Sequence, residues 1–392
     1  MIPFSYCESI LDTLSTPQAY SDHVNHCDED CASFAQDFLV RLRLCLEEDV
    51  ESLRLLSDVP AARAQHAVDL LDQAFLSQQT KTTHRIKTHR LLVKCAGAFK
   101  RSPSSLVLSG KSFQSMQAIG CGGFADVFRA DFDGAKVAVK RLRVFLAMVE
   151  SDRMISLQRF LHEALLWRGL DHPHVLPLLG IHEMLSPQDL CMVSPWVDQG
   201  NVCQVLDRWQ NINLPRPVLI RRIFQWMHES ASGLSYLHRE GIVHGDLRGA
   251  NMLIGSGNKL MLSDFGLAVF AESTSHAYGS MREGNIQWLA PELVDYSKDK
   301  PQRPTKATDV FSLSRAYVEL CTAKSPYPGL SSPQASNEGA ECRQEKEWVT
   351  TSSGTEWVTA SSGTEWLTSS SEKESATNLP AVIDAVNVSG DQ

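Results

Sequence analysis

The sequence predicts an α+β fold in which a β-rich lobe leads into a helical one. Three observations carry that expectation. Residues 119–142 set alternating apolar groups around a glycine-rich turn and a second turn at Asp133-Gly134, the pattern of antiparallel strands. Residues 218–240 place Ile223, Trp226, Met227, Ser230, Leu234 and Leu237 at helical spacing and stop at Gly241. Helical periodicity also fills the first hundred residues, whereas from residue 331 the composition turns to Ser, Thr, Glu and Gly. The expected organisation is a helical prefix over 1–111, a bilobal domain over 112–330 and a polar, disordered tail over 331–392.

The chain has 392 residues, of which 43% are hydrophobic and 21% charged, enough to bury a substantial core. A net charge of −9 argues against a general nucleic-acid binder, whose footprint is basic. Met1–Tyr6 has no basic run followed by an apolar one, so no secretory signal is expected. No apolar run approaches the roughly 18 residues of a membrane span. The 10 cysteines follow no framework spacing, which reads as reduced thiols in the cytoplasm.

In the prefix, Phe34, Phe38, Leu42, Leu46, Val50 and Leu53 mark an amphipathic helix over 33–56. Asp58 and Pro60 open a second helix, whose apolar stripe is Val68, Leu71, Phe75 and Leu76. A third runs from about Thr83 to Phe99. His23, His26, Cys27 and Cys31 have the ligand types of a zinc site, but the spacing is cramped and reads better as a solvated turn. Lys81, Arg85, Lys87, Arg90, Lys94, Lys100 and Arg101 form a stretch without an acid. It reads as a solvated helix face rather than as a docking surface for an acidic partner or an anionic membrane surface.

Ile119-Gly120-Cys121-Gly122-Gly123-Phe124-Ala125-Asp126-Val127 is a glycine-rich loop between strands, where missing Cβ atoms let backbone N–H groups approach phosphate. Val137-Ala138-Val139-Lys140 follows. Phe160, Glu163 and Trp167 then share one helical face. His172–Gly180 reads as the next strand, and Cys191–Val197 as another that ends in a connection. His244-Gly245-Asp246-Leu247-Arg248-Gly249-Ala250-Asn251 reads H-x-D-L-x-x-x-N. Ser263-Asp264-Phe265-Gly266, Ala290-Pro291-Glu292 and Thr308-Asp309-Val310-Phe311-Ser312 complete the series.

These signatures, in this order, resemble a eukaryotic-type protein kinase of the tyrosine-kinase-like group, of the kind expanded in some fungi. The resemblance runs from about Ser112 to Gly329 and implies the bilobal protein-kinase fold, with ATP and Mg as cofactors and a protein as substrate. It assigns Asp246 as the catalytic base, Lys140 and its ion-pair partner Glu163 to the phosphates, and Asn251 and Asp264 to the metal. Glu150 is the rival partner for Lys140, placed in the preceding connection. Arg248 steadies the γ-phosphate. Nucleotide contacts fall to Ile119, Gly120, Gly122, Gly123, Ala125, Val127, Ala138, Lys140, Pro195, Val197 and Leu253, with Ser194 as gatekeeper.

The chain also departs from the family. Ala125 replaces a glycine. Gly245 stands where many kinases have the arginine that answers a phosphorylated activation segment. Arg248 and Asn285 leave serine/threonine versus tyrosine preference open, with serine/threonine preferred. After Pro326-Tyr327-Pro328-Gly329 the family's last helices are not recognisable. That leaves Glu292 expected to be solvated and the apolar side of the central helix, at Leu313, Tyr317 and Leu320, expected to be uncovered. A pseudokinase or scaffold that binds ATP or partners without turnover is the alternative. The tail repeats a nine-residue unit bearing Trp348, Trp357 and Trp366, a second candidate for partner docking beside the prefix.

Overall fold

The computed structural model describes residues 29–48, 59–77, 82–108, 113–121, 125–142, 150–183, 190–212, 214–271, 286–294, 303–327, 346–351 and 354–359. The chain divides into two units, residues 1–340 and 341–392.

Among the described residues, three prefix helices open the first unit. Helix α1 spans Glu29–Glu48 and buries Phe38 and Leu42, four residues apart on one face. Pro60 caps a short turn before α2, Ala64–Leu76, where its missing N–H costs nothing. Val68, Leu71 and Phe75 are buried on α2. Leu76, counted in the same stripe by sequence, is 43% exposed, because it lies about one residue's rotation off the face. Helix α3, Thr82–Phe99, packs on α2 along one side and on the first helix of the β-rich lobe along the other.

That lobe is a five-stranded antiparallel sheet. Its strands are β1 (Gln114–Cys121), β2 (Ala125–Phe132), β3 (Ala135–Leu142), β4 (Gly180–Glu183) and β5 (Leu190–Pro195), in the order β1-β2-β3-β5-β4. Asp133 and Gly134 take φ of 53° and 77°, the left-handed pair that a two-residue hairpin turn requires. The turn sets Val127 opposite Lys140. Val137 and Val139 are buried in an apolar cluster, so the period of two sends Ala138 and Lys140 to the other face. Helix α4, Glu150–Trp167, crosses between β3 and β4, and Glu150 is its first residue rather than part of a connection. His172–Leu179 is irregular instead of a strand, with Val175 bridging to Leu262. Pro173 and Pro177 lack the N–H that a ladder needs.

The helical lobe contains α5 (Val202–Asn211), α6 (Arg216–Arg239) and α8 (Lys306–Thr322), with short pieces between them: β6 (Ile242–Val243), β7 (Met252–Ile254), β8 (Leu260–Leu262), β9 (Val269–Phe270) and α7 (Pro291–Val294). Helix α6 gives way to Gly241, whose φ is 75°. Helix α8 starts at a reciprocal capping box between Thr305 and Thr308. Its apolar side is covered, contrary to expectation. Leu313 and Leu320 are buried, and the Tyr317 hydroxyl donates to the Met227 carbonyl of α6 at 2.7 Å. The exposed large apolar residues on α8 are Val310 and Val318, at 47% and 40%. Glu292 on α7 is half-buried rather than solvated.

Among the described residues of the second unit there is one paired element. Strands β10 (Lys346–Thr351) and β11 (Gly354–Thr359) form an antiparallel hairpin that places Trp348 opposite Trp357. The Trp-Val-Thr runs favour strand, and a glycine follows the loop between them. The third repeat lies outside the described residues. Among the described residues, no helix is long and apolar enough to cross a membrane.

Candidate active site

Helix α6 delivers the chain to the loop at 244–251. Strand β6 pairs with β9, setting Ile242 opposite Phe270 and Val243 opposite Val269, so residues 244–251 and 263–266 are held beside one another. Asp309 of α8 fixes the loop from below. Its Oδ2 accepts the His244 N–H at 2.8 Å and is 2.9 Å from His238 Nε2, while Oδ1 accepts the Gly245 N–H at 2.9 Å. Gly245 takes φ of 79°, and a Cβ there would lie 2.6 Å from the Leu267 carbonyl oxygen. The glycine therefore serves the backbone as well as removing an arginine.

Asp246 is buried. The Asn251 side-chain amide donates to the Asp246 carbonyl at 2.8 Å and to its carboxylate at 2.9 Å. Arg248 Nε lies 3.7 Å from the same carboxylate, and its guanidinium stands 5.9 Å above the Trp288 ring. Burial pushes the Asp246 carboxyl up, Arg248 pulls it back, and Asp264 adds to the rise.

Across the cleft, Lys140 Nζ lies 2.7 Å from Glu163 Oε1 and 2.8 Å from Asp264 Oδ1. Burial alone would lower the lysine, but the two carboxylates outweigh it and raise it. Lys140 holds Asp264 at about 2. Burial pushes Glu163 up against the pull of Lys140. One ammonium is thus shared by two carboxylates. Asp264 adopts a left-handed φ of 66°, a conformation that costs roughly 1 kcal/mol and persists where surroundings enforce it. Phe265 beside it is fully buried, 5.5 Å from the Trp167 ring of α4 and 5.3 Å from His244.

The residues assigned to the nucleotide fall on the surrounding strands. Ile119 and Gly120 are on β1, Ala125 and Val127 on β2, Ala138 and Lys140 on β3, and Leu253 on β7. Gly120 is opposite Val127, and Ala138 is opposite the buried Ser194. Pro195 ends β5. Trp196 N donates to the Lys136 carbonyl at 3.0 Å, and the Val197 carbonyl accepts from Gly200. Ile254 N donates to the Gly200 carbonyl at 2.8 Å, which joins this connection to β7 beside Leu253. Gly122, Gly123, Asn285 and the ligand-like His23, His26 and Cys27 lie outside the described residues.

The donor set fits a hard divalent cation. Asp264 offers carboxylate oxygen, and the Asn251 amide nitrogen is committed to Asp246, which leaves its oxygen for a cation. Among the described residues, no three His, Cys, Asp or Glu side chains cluster as a self-sufficient metal cage.

Two residues of the site, Glu319 and Cys203, were not anticipated. Glu319, buried on α8, accepts the Gly249 N–H at 2.8 Å and the Trp288 indole N–H at 3.1 Å, and it lies 3.1 Å from the Cys203 thiol. Burial and Glu319 push that thiol to about 12, so Cys203 stays a donor. Glu319 thereby ties α5, the 244–251 loop and the segment before α7 to one carboxylate. Its only sequence signal is an acid on the buried Ser312–Ala316–Glu319 face.

The basic stretch divides: Lys94, Lys100 and Arg101 are exposed, Lys81 lies outside the described residues, and Arg85, Lys87 and Arg90 are half-buried. Arg85 pairs with Glu240 and donates to the Gly169 carbonyl at 2.9 Å, Lys87 reaches the Leu46 carbonyl, and Arg90 stands over Phe270.

Residues 113–352 match the family model described as protein tyrosine and serine/threonine kinase. A serine/threonine/tyrosine-protein kinase of Arabidopsis thaliana is 28% identical over 220 residues, 56% of this chain and 53% of that one. Mitogen-activated protein kinase kinase kinase 10 of Mus musculus is 32% identical over 247 residues, 59% of this chain and 24% of that one. A serine/threonine-protein kinase of Arabidopsis thaliana is 26% identical over 266 residues, 67% of this chain and 43% of that one. The chain thus spans about half or less of the length of these relatives.

Proposed function

Because the chain belongs to the protein tyrosine and serine/threonine kinase family, and is of the tyrosine-kinase-like kind, we propose that it transfers the γ-phosphoryl group of ATP to serine or threonine hydroxyls of proteins. The domain that does so is taken as 112–330, after a prefix at 1–111 whose described helix α3 packs on α4. The observation that carries the reading is the single ammonium of Lys140 held at 2.7 Å from Glu163 and 2.8 Å from Asp264. It joins α4, β3 and the segment after β8 around one point.

Phosphoryl transfer is mostly positioning and charge stabilisation, so each residue's role follows from what it can hold. Lys140, oriented by Glu163, meets phosphate oxygens. Asp246 takes the proton of the attacking hydroxyl, its basicity raised by burial and tempered by Arg248. Arg248, already between Asp246 and Trp288, steadies the transferred group. Asn251 and Asp264 would hold Mg, which supplies neutralisation of phosphate charge when bound. Ala138, Val127 and Leu253 border the base, and the backbone at Pro195 and Val197 meets its polar edge.

The preference for serine/threonine rests on relatives whose names include serine/threonine, one of them with tyrosine as well. A cytoplasmic setting belongs to the same proposal and rests on the reading of the 10 cysteines as reduced thiols. The test is transfer of label from γ-labelled ATP to the chain itself and to a generic protein substrate, followed by phosphoamino-acid analysis. Labelled serine or threonine from wild type, absent with Asp246→Asn, supports the proposal. Labelled tyrosine alone would correct its specificity, and labelling by the variant equal to wild type would refute the assignment of Asp246.

A further inference from the structure

We propose, on the premise of the kinase reading above, that His89 of α3 is a positioning residue for phosphoryl transfer, through which the prefix helices hold α4 and β9 so that Glu163 stays against Lys140. His89 is buried, and its ring meets three other elements. It stacks on Phe75 of α2 at 4.1 Å and 14° between planes. It meets Phe270 of β9 edge-on at 5.1 Å. Its Nε2 lies 2.7 Å from the Leu165 carbonyl oxygen of α4.

Those contacts fall beside the reacting groups. Leu165 is two residues beyond Glu163, and Phe270 is six beyond Asp264. Phe270 pairs with Ile242 on β6, which runs directly into His244. One imidazole thus spans from the glutamate side of the Lys140 pair to its aspartate side.

The Leu165 carbonyl also needs a donor. It is among the last four carbonyls of α4, which have no partner within their own helix. Ala164, next to it, is served by Arg168 N at 2.9 Å, whereas Leu165 is served by His89. Because the partner is a carbonyl, Nε2 carries the proton. Burial, outweighing that hydrogen bond, holds the imidazole down to about 4, so the ring is neutral and keeps one tautomer.

Both flanks of the contact are pinned. Asp72 of α2 binds Arg168 just beyond α4 through two bonds of 2.5 and 2.7 Å, and Ser105 joins them. Arg85 of α3 reaches Gly169 and Glu240. Gly169 takes φ of 70°, and a Cβ there would come within 2.7 Å of the Phe75 ring, so the prefix sits against the end of α4 without slack. The helices that sequence left without a role therefore close over the helix that carries Glu163.

The experiment uses the full chain, with hydrogen–deuterium exchange over α4, β9, α6 and α8 and with ATP–Mg affinity measured on the same preparations. His89→Phe keeps the stacking and removes the donor. It should speed exchange in α4 and β9, leave α6 and α8 unchanged, and weaken ATP–Mg binding by roughly tenfold, the effect of one lost buried hydrogen bond. His89→Gln, which restores a donor, should recover part of both. Wild-type exchange and affinity in His89→Phe would overturn the proposal. So would exchange that rises equally in α6 and α8, the sign of a merely structural role. Should His89→Phe fail to fold, Asp72→Asn at the rim must loosen α4 in the same sense, and an unchanged α4 there overturns the proposal too. Absence of phosphotransfer by wild type would sink the kinase reading while leaving the α4 exchange result to stand or fall by itself.

Discussion

Lys140, Glu163 and Asp264 form a charge-sharing set with one cation and two carboxylates, and its work is directed at phosphate rather than at the fold. Lys140→Met should cut turnover by about 100-fold or more while the chain still folds, since the ammonium acts on phosphate charge. Turnover near wild type would remove Lys140 from the mechanism. At Asp246 the sign of a pH effect is fixed by the neighbours. Burial raises the carboxyl and Arg248 lowers it, and a base works only when ionised. Arg248→Gln should therefore move the acid limb of kcat/KM to higher pH. A limb that stays put or moves down would show that the 3.7 Å ion pair does not act on the base. Gly245→Ala should cost about 1–3 kcal/mol in stability, because φ of 79° and the Leu267 carbonyl both exclude a Cβ. Short motifs and the family resemblance singled out Lys140, Asp246, Asn251 and Asp264, and a helical face singled out Glu163; the structure sets Lys140 against Glu163 and Asp264, and Asn251 against Asp246. Glu319 was not singled out, because its partners Cys203, Gly249 and Trp288 come from three distant segments.

At the scale of elements, helical period located α2, α3 and α6 well, and the Asp133-Gly134 turn set the sheet register. Period says which face is buried and not what lies on it. That is why period left open whether the prefix packs on the neighbouring lobe or is tethered to it, where α3 packs on α4, and why the α3 cations read as a surface while Arg85 and Lys87 bind inside the unit. The same blindness applied to α8, whose apolar side is met by α5 and α6. Burial at this interface has a pH consequence. His89 and His162 are both held down to about 4 from 6.5 by desolvation, with Arg85 and Arg90 also facing His89. Between those values the unfolded chain binds more protons than the folded one, so stability is lost as pH falls from 6.5 towards 4. The loss is on the order of 3 kcal/mol for each histidine. Thermal melts from pH 7.5 to 4.5 should show this decline, and His89→Gln should flatten it by removing one of the two groups. An unchanged slope in that variant would place His89 in contact with water.

At the scale of the molecule, residues 1–340 behave as one unit in which prefix, sheet and helical lobe converge on the groups around Lys140 and Asp246. Aspartate carboxylates anchor it at two depths: Asp309 beneath the loop at 244–251, and Asp72 behind α4. The central claim is that this convergence performs turnover rather than nucleotide binding alone. The most direct test is to measure ATP–Mg affinity and single-turnover phosphoryl transfer on the same preparations of wild type and Asp246→Asn. The account predicts similar affinity for the two proteins, with transfer by wild type and a loss of about 100- to 10,000-fold in the variant. Tight nucleotide binding by wild type without any transfer would contradict it, and would make the chain a nucleotide-binding scaffold.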